Sequence, residues 1–218
     1  MAKSNRIDPR AWLVASVIAG VSFWLVKDAA LGLPLKMVWK GAGVALLAIY
    51  ALASGAGSDA RRLALVMTLG ATGDVLIELH LQLGAGAFMF GHLAAMNLYI
   101  RHRRETTTGS QNMLAAALLI GTPLIAWLLP ADRSQAWPVA IYALVLGGMA
   151  GTAWTSSFPR YRVGIGAVVF VASDLLIFAQ MGPLADSAVP DLLVWPLYYF
   201  GQFLICVGVI GTLRKRSA

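Results

Sequence analysis

Two aspartates, Asp74 and Asp174, lie in the middle of apolar segments that are long enough to cross a membrane. A charged side chain at the centre of a membrane helix costs about 2.5 to 3.5 kcal/mol on insertion scales. Because Ser or Asn could join helices without that cost, we interpret the two acids as functional residues. Their surroundings are similar: Gly73-Asp74-Val75-Leu76 is followed by Phe90-Gly91-His92, and Ser173-Asp174-Leu175-Leu176 by Phe200-Gly201-Gln202.

A pair of buried carboxyl groups can divide the work of acid–base catalysis. Burial favours the neutral form of a carboxyl group, and a nearby carboxylate favours it further in one member of a pair. One acid can then stay protonated while its partner is ionised. The sequence has no His-x-x-x-His pair, no cysteine cluster, and neither a Gly-x-Ser-x-Gly nor a phosphate-loop motif. We therefore expect no metal ion and no cofactor, and neither a serine hydrolase nor an NTPase.

Three charged residues are candidates for supporting the acids near one membrane surface. Glu78 follows Asp74 by four residues, so it is predicted to share the helix face of Asp74. Lys36 and Lys40 have the same spacing at the start of the second apolar segment. The structural alternatives are that Glu78 is solvated at the surface and that the lysines extend to the interface by snorkelling.

Four further polar residues are candidates for supporting positions inside the bundle. His92, near the middle of the fourth segment, is predicted to orient one acid or to titrate with it. Tyr198 and Gln202 share a face of the eighth segment, and Ser173 precedes Asp174. The alternative for all four is a structural role, in which they join helices by hydrogen bonds.

The composition that surrounds these residues indicates an integral membrane protein. Of the 218 residues, 59% are hydrophobic and 12% are charged, whereas soluble domains have about 25% charged residues, and the mean hydropathy is +0.73. The apolar residues fall in long runs. The net charge of +7 does not indicate nucleic-acid binding, because the basic residues cluster at segment ends.

We predict an all-α, polytopic bundle of eight membrane-spanning helices that forms a single domain, residues 1–218. The first segment is interpreted as a retained span, since no small-residue cleavage site and soluble domain follow it. The eight predicted spans are Ala11–Val26, Lys36–Ser54, Arg62–His80, Gly84–Ile100, Asn112–Leu129, Ala136–Ser156, Val163–Met181 and Leu192–Leu213.

Both termini are predicted to be cytoplasmic, because basic residues concentrate on that side of a membrane protein. The opposite side has only Lys27 and Arg133, together with Lys36 and Lys40 at the mouth of the second span. The predicted cytoplasmic residues are Lys3, Arg6, Arg10, Arg61, Arg62, Arg101, Arg103, Arg104, Arg160, Arg162, Arg214, Lys215 and Arg216.

The similar sequence motifs around Asp74 and Asp174 also predict a parallel internal repeat of four plus four spans, with halves 1–105 and 106–218. The acids are 100 residues apart and the Phe-Gly pairs 110 residues apart, and the loop 182–191 absorbs the difference. The shared Ala-Ile-Tyr-Ala-Leu string at Ala48 and Ala140 fits neither separation, and we interpret it as coincidence.

The sequence resembles the YhhN-like lysoplasmalogenases in four motifs that occur in the same order over eight segments. These motifs are Gly73-Asp74-Val75-Leu76, Phe90-Gly91-His92, Ser173-Asp174 and Tyr198-x-x-x-Gln202. The resemblance covers essentially the whole chain. It implies hydrolysis of the vinyl-ether bond of lysoplasmalogens, which releases a fatty aldehyde and glycerophosphoethanolamine or glycerophosphocholine. It also implies that Asp74 and Asp174 are the paired acids, with His92, Tyr198 and Gln202 as neighbours. We expect a lysophospholipid substrate and a location in the bacterial inner membrane.

Two positions depart from the pattern of that family. The family usually has Lys-Pro at the start of the second span, where this chain has Lys40-Gly41, and a Tyr three residues after the histidine, where it has Ala95. These departures bear on the choice of substrate more than on the acid pair.

Vinyl-ether hydrolysis needs the groups that this sequence offers. The reaction proceeds by proton transfer to carbon, and it passes through an oxocarbenium ion that water captures, as in glycosidases. We predict that one of Asp74 and Asp174 donates the proton, and that the other stabilises the cation and accepts a proton from water. The sequence leaves the assignment of the two roles open. Lys36 or Lys40 is predicted to bind the lipid phosphate at the outward mouth.

Two other classes of protein remain open at this point. Buried acids and internal repeats are equally typical of a proton-coupled transporter of lipids or small molecules. In a non-catalytic lipid-binding or scaffold protein, Asp74→Asn would change stability but remove no turnover. The sequence does not predict the oligomeric state.

Overall fold

The computed structural model describes residues 8–55 and 57–217, and all of its regular structure is helical in these ranges. The predicted all-α class is confirmed, because the described residues contain no strand and a single isolated bridge between Arg103 and Ser156. Lys3 and Arg6, used above to predict the side of the N-terminus, lie outside the described residues. The described ranges contain eight α-helices, which are α1 (Pro9–Val26), α2 (Leu33–Ser54), α3 (Gly57–Leu76), α4 (Leu81–Arg101), α5 (Gly109–Leu128), α6 (Ala136–Thr155), α7 (Ile165–Gln180) and α8 (Val189–Ser217).

Seven of these helices are long and apolar enough to cross a membrane within the described part of the chain, and α3 is not among them. α3 carries four charged residues, Asp59, Arg61, Arg62 and Asp74, in twenty residues. It nevertheless packs against both α2 and α4. Membrane integration is thus supported by most of the bundle, whereas the count of eight spans stays a prediction.

The end of α3 was predicted wrongly. The helix ends at Leu76 rather than at His80, and Ile77, Glu78 and Leu79 form a turn. The backbone N–H groups of Leu79 and His80 both donate to the carbonyl of Leu76, at 3.0 Å each. Because α4 begins at Leu81, the chain must reverse direction within four residues, and the helix unwinds to allow it. Glu78 therefore does not continue the helix face of Asp74.

Charged side chains join several helices at one end of the bundle, here called the terminal end. The Asp59 carboxylate accepts hydrogen bonds from Arg62 (2.7 Å) and from His102 Nε2 (2.7 Å), and Arg216 donates to His102 Nδ1 (2.9 Å) and to Ser157 Oγ (3.0 Å). Asp59 precedes the predicted third span. Burial raises its pKa, but the hydrogen bonds from His102 and Arg62 outweigh burial and lower the pKa below its usual range. The start of α3 and the ends of α4 and α8 thus lie together.

Several details of packing are shared by the two predicted halves. Phe90 and Phe200 are exposed, whereas the residues that follow them, Gly91-His92 and Gly201-Gln202, are buried. A Cβ on Gly201 would lie 2.7 Å from the carbonyl oxygen of Gly166, so only glycine allows α7 and α8 to approach so closely. A Cβ on Gly91 would lie 3.8 Å from the carbonyl of Val66, which is 100 residues before Gly166. The distance at Gly91 is an ordinary contact, so the close approach at Gly201 has no equal at the corresponding position in the first half, and the repeat stays a prediction.

Candidate active site

Asp74 is buried in α3, with 2% of its surface exposed, and it is held by a tyrosine from the other half of the chain. The hydroxyl of Tyr198, in α8, donates to Asp74 Oδ2 at 2.8 Å. The ring of Phe88, from α4, packs edge-to-face on Tyr198 with ring centroids 5.5 Å apart, and Phe170 packs on it from α7 at 5.1 Å. This aromatic packing fixes the hydroxyl against the carboxyl group.

Asp174 is buried in α7, with 6% of its surface exposed, and a second tyrosine holds it. The hydroxyl of Tyr142, in α6, donates to Asp174 Oδ2 at 2.7 Å. His92 Nε2 lies 3.1 Å from the same hydroxyl oxygen. Because the Tyr142 hydroxyl has one hydrogen and gives it to Asp174, His92 must donate from Nε2. His92 therefore orients an acid indirectly, through Tyr142.

The two carboxyl groups reach one small cavity of about 60 Å³, here called the acid cavity. A space of this size holds a few waters or the reacting end of a molecule, but not a whole lipid. The predicted convergence of Asp74 and Asp174 is therefore present in the structure, although their chemical roles stay predictions. The other lining residues are Lys40, Ile77, Leu81, Ala85, Phe88, Tyr142, Ser173, Ile177, Phe178, Val194, Trp195 and Tyr198.

Lys36, Lys40 and Glu78 form one ion cluster beside the acid cavity. Lys40 Nζ is 2.6 Å from Glu78 Oε1, and Lys36 Nζ is 3.2 Å from Glu78 Oε2. The Glu78 side chain is 13% exposed, so the cluster is screened from solvent more than an ordinary surface pair. The lysines are held by this carboxylate and do not simply extend to the interface. Lys40 also lines the acid cavity together with Asp74.

A second, more polar space of about 240 Å³ adjoins the acid cavity and shares Lys40, Ile177, Val194 and Trp195 with it. We call this space the vestibule. It contains both signs of charge, which suits a polar or zwitterionic group more than an apolar one. Its charged residues are Lys27, Lys36, Lys40, Asp28, Glu78 and Asp191.

Two of the predicted supporting residues serve the packing of the bundle. Ser173 Oγ donates to the backbone carbonyl of Val194 at 2.9 Å, which joins α7 to α8 behind Asp174. Gln202 is buried, but it lines a smaller space with His92 and Tyr99 and does not line the acid cavity. Both residues also lie beside the acid site, because Ser173 lines the acid cavity and the side chain of Gln202 hydrogen-bonds to Tyr198, the tyrosine that holds Asp74. Their part in the reaction stays a prediction.

Sequence reasoning missed three residues of the site: Tyr142, Phe88 and Trp195. Tyr142 belongs to the Ala-Ile-Tyr-Ala-Leu string at Ala140, so a signal was present but was interpreted as coincidence. Phe88 stands 110 residues before Tyr198, the separation of the Phe-Gly pairs, so the repeat could have indicated it. Trp195 carried no comparable signal.

Comparisons with known proteins identify the family of the chain. A model of the YhhN family matches residues 35–209, a region that contains both aspartates and all the other residues that line the acid cavity, and the chain belongs to the YhhN family. Lysoplasmalogenases of Mycobacterium bovis and Mycobacterium tuberculosis are each 28% identical to it over 183 residues, which cover 80% of this chain and 70% of theirs. No solved structure matches the chain significantly.

Proposed function

We propose that this protein is a membrane hydrolase that cleaves the vinyl-ether bond of lysoplasmalogens, as the names of its relatives suggest. The observation that carries the proposal is that two buried aspartates, each held by a tyrosine hydroxyl, reach one cavity of about 60 Å³. The products are a fatty aldehyde and a glycerophospho-alcohol. The setting that we propose is a single domain of eight spans in the bacterial inner membrane, with both termini cytoplasmic.

The charges around the cavity support different roles for the two acids. Lys36, Lys40 and Glu78 together carry a net charge of +1, and Lys40 lines the acid cavity together with Asp74. An ionised Asp74 neutralises that charge. Among the described residues that line the cavity, Lys40 is the one cation, and the polar partner of Asp174 is the neutral Tyr142. A second buried charge would be uncompensated, so Asp174 is the protonated acid.

The first half of the reaction uses both acids at once. Asp174 transfers its proton to the alkenyl carbon that is not bonded to oxygen, and the adjacent carbon becomes an oxocarbenium ion. The carboxylate of Asp74 stabilises this cation and accepts a proton as a water molecule adds to it, which gives a hemiacetal. Tyr142 continues to donate to Asp174, and so stabilises the anion that the proton transfer leaves there.

The second half restores both acids. The hemiacetal C–O bond to glycerol breaks as Asp74 returns its proton to the departing oxygen. Asp174 takes the proton of the hemiacetal hydroxyl, and the aldehyde C=O forms. The sum is one vinyl ether and one water converted to one aldehyde and one alcohol, with Asp174 again protonated and Asp74 again ionised.

The activity is tested with the purified protein in detergent, given a lysoplasmalogen beside the ester and the saturated ether of the same chain and head group. We expect stoichiometric release of aldehyde from the vinyl ether alone, because neither analogue forms an oxocarbenium ion by protonation at an alkenyl carbon. Aldehyde is measured by trapping with a hydrazine reagent. If no substrate is cleaved while vesicles containing the protein take up or release lipid, the transporter is the correct alternative.

The proposal predicts different kinetic effects for substitution of the two lysines, Lys36 and Lys40. Lys36→Met leaves Glu78 paired with Lys40 but removes one charge-assisted contact to the lipid phosphate, so we expect the KM to rise about tenfold. It also removes the net charge of the cluster that an ionised Asp74 neutralises, so kcat should fall. Lys40→Met removes the cation that lines the acid cavity itself, so kcat should fall further. Lys215→Met, at the exposed terminal end, is the control and should change neither constant. Equal KM values for wild type and Lys36→Met would contradict phosphate binding at this cluster.

A further inference from the structure

Trp195 lies at the junction of three spaces. It lines the acid cavity, the vestibule and a third space of about 600 Å³ between α1 and α8, here called the lateral groove. Among the described residues, Trp195 alone lines all three. The groove walls include Val17, Val21, Leu193 and Phe200.

The lateral groove offers hydrocarbon and almost no polar surface. Val21, Leu193 and Phe200 are exposed apolar residues in the structure. Tyr199 also lines the groove, but its hydroxyl lies 2.8 Å from Ser16 Oγ, which itself donates to the carbonyl of Gly43. The volume is within the range of about 300 to 1,000 Å³ that is typical of ligand sites. An apolar chain suits this groove, and a polar ligand does not.

The side chain of Trp195 is fixed in place as the wall between groove and cavity. Its indole N–H donates to the carbonyl of Gly20 at 2.8 Å, and Phe23 packs on its edge with ring centroids 4.6 Å apart. A Cβ on Gly20 would lie 2.6 Å from the ring of Tyr199, so glycine is required for α1 to come this close to α8. The wall therefore has a defined position.

We propose that the lateral groove binds the hydrocarbon chain of a single-chain phospholipid whose head group lies in the vestibule and whose glycerol-linked bond lies in the acid cavity, beside Trp195. This inference rests on the proposed function. Head group, reacting bond and chain follow one another in such a lipid. The vestibule shares four lining residues with the acid cavity, and the groove meets both of them at Trp195. The vestibule contains three lysines and three acidic residues, which suits a zwitterionic head group.

A second groove of similar size is the competing site for the hydrocarbon chain, so the assignment of the chain to the lateral groove can be tested. It lies among α4, α5 and α6, has a volume of about 530 Å³ and includes Met96, Leu119 and Gly148 in its lining. It shares no lining residue with the acid cavity. A chain bound there could not remain attached to a reacting bond between the two aspartates.

The experiment is photo-crosslinking of the wild-type protein in nanodiscs. The probe is a saturated 1-alkyl lysophosphocholine with a diazirine at the end of its chain, which is not hydrolysed by the proposed chemistry. We expect peptide mass spectrometry to locate the label on Val17, Val21, Phe200 or Phe203, with loss of labelling when unmodified lysoplasmalogen competes. Label confined to the groove among α4, α5 and α6, or spread evenly over the lipid-facing helices, would overturn the proposal.

Substitution of the groove wall gives an independent measurement. Val21→Trp fills the groove, so the ratio of kcat/KM for a long-chain over a short-chain substrate should fall at least fivefold. Ile18→Trp, on the same helix and outside the groove lining, is the matched control and should keep the wild-type ratio. If the wild-type protein has no hydrolase activity and the label still maps to the groove, chain binding stands and the proposed function fails. If the wild type cleaves the lipid and neither measurement involves the groove, chain binding fails alone.

Discussion

Asp174→Asn is expected to lower kcat for lysoplasmalogen about 10³-fold, because it removes the proton donor and general acids contribute about 10² to 10⁴ in rate. The amide keeps an oxygen that can accept the hydrogen bond of Tyr142, so the fold and the apparent substrate affinity should be retained. The measurement is steady-state aldehyde release, with thermal unfolding in parallel. Asp186→Asn, an exposed acid in the loop between α7 and α8, is the control and should leave kcat unchanged.

Infrared difference spectroscopy separates this role from a merely structural one. The wild-type protein should show the carbonyl stretch of a protonated, buried carboxylic acid at neutral pH, and Asp174→Asn should lack it. A wild-type rate in Asp174→Asn, or a spectrum in which the band persists, would remove Asp174 from the role of acid.

Asp74→Asn is expected to lower kcat about 10² to 10³-fold, since it removes the anion that faces the developing oxocarbenium ion. It should also lower the thermal stability, because Lys36, Lys40 and Glu78 would then keep a net positive charge without a neighbouring anion. The infrared band of the protonated acid should remain in this variant. Tyr198→Phe removes the hydrogen bond to Asp74 and keeps the carboxyl group. Its kcat should lie between those of the wild type and Asp74→Asn.

Comparison of the two aspartate variants tests which of the two acids is the proton donor. If the band disappears in Asp74→Asn and persists in Asp174→Asn, the roles of the acids are reversed, and the charge argument based on Lys40 is wrong. If both variants keep the wild-type rate of aldehyde release, the acid pair is not catalytic.

The helices were predictable from the sequence because most are long apolar runs that are bounded by charged residues, glycine, proline or serine. Each predicted span overlaps one helix, from Pro9–Val26 to Val189–Ser217. The exception was the end of α3, where apolar Ile77 and Leu79 continue the hydrophobic pattern although the chain has already begun to turn. Hydropathy cannot detect a turn that is built from apolar residues.

The acids of the site were predictable because a carboxyl group in an apolar helix is costly and is rarely kept without a function, but their partners were not. Whether Tyr142 or Tyr50 meets an aspartate depends on how α2 and α6 are rotated about their axes, and both tyrosines stand in the same five-residue string. Likewise, Glu78 binds two lysines from α2, more than thirty residues earlier, because of the turn that the hydropathy pattern concealed. These contacts follow from packing between helices, which the pattern of one segment does not specify.

The fixed indole of Trp195 also bears on what happens after bond cleavage. On one side of it lies the apolar lateral groove, and on the other the vestibule carries charged groups. In the proposed reaction, the apolar aldehyde and the water-soluble phosphodiester would therefore leave by separate exits and partition into different phases. Re-synthesis needs both to return together, so net flux should run towards cleavage even where the aldehyde accumulates in the bilayer.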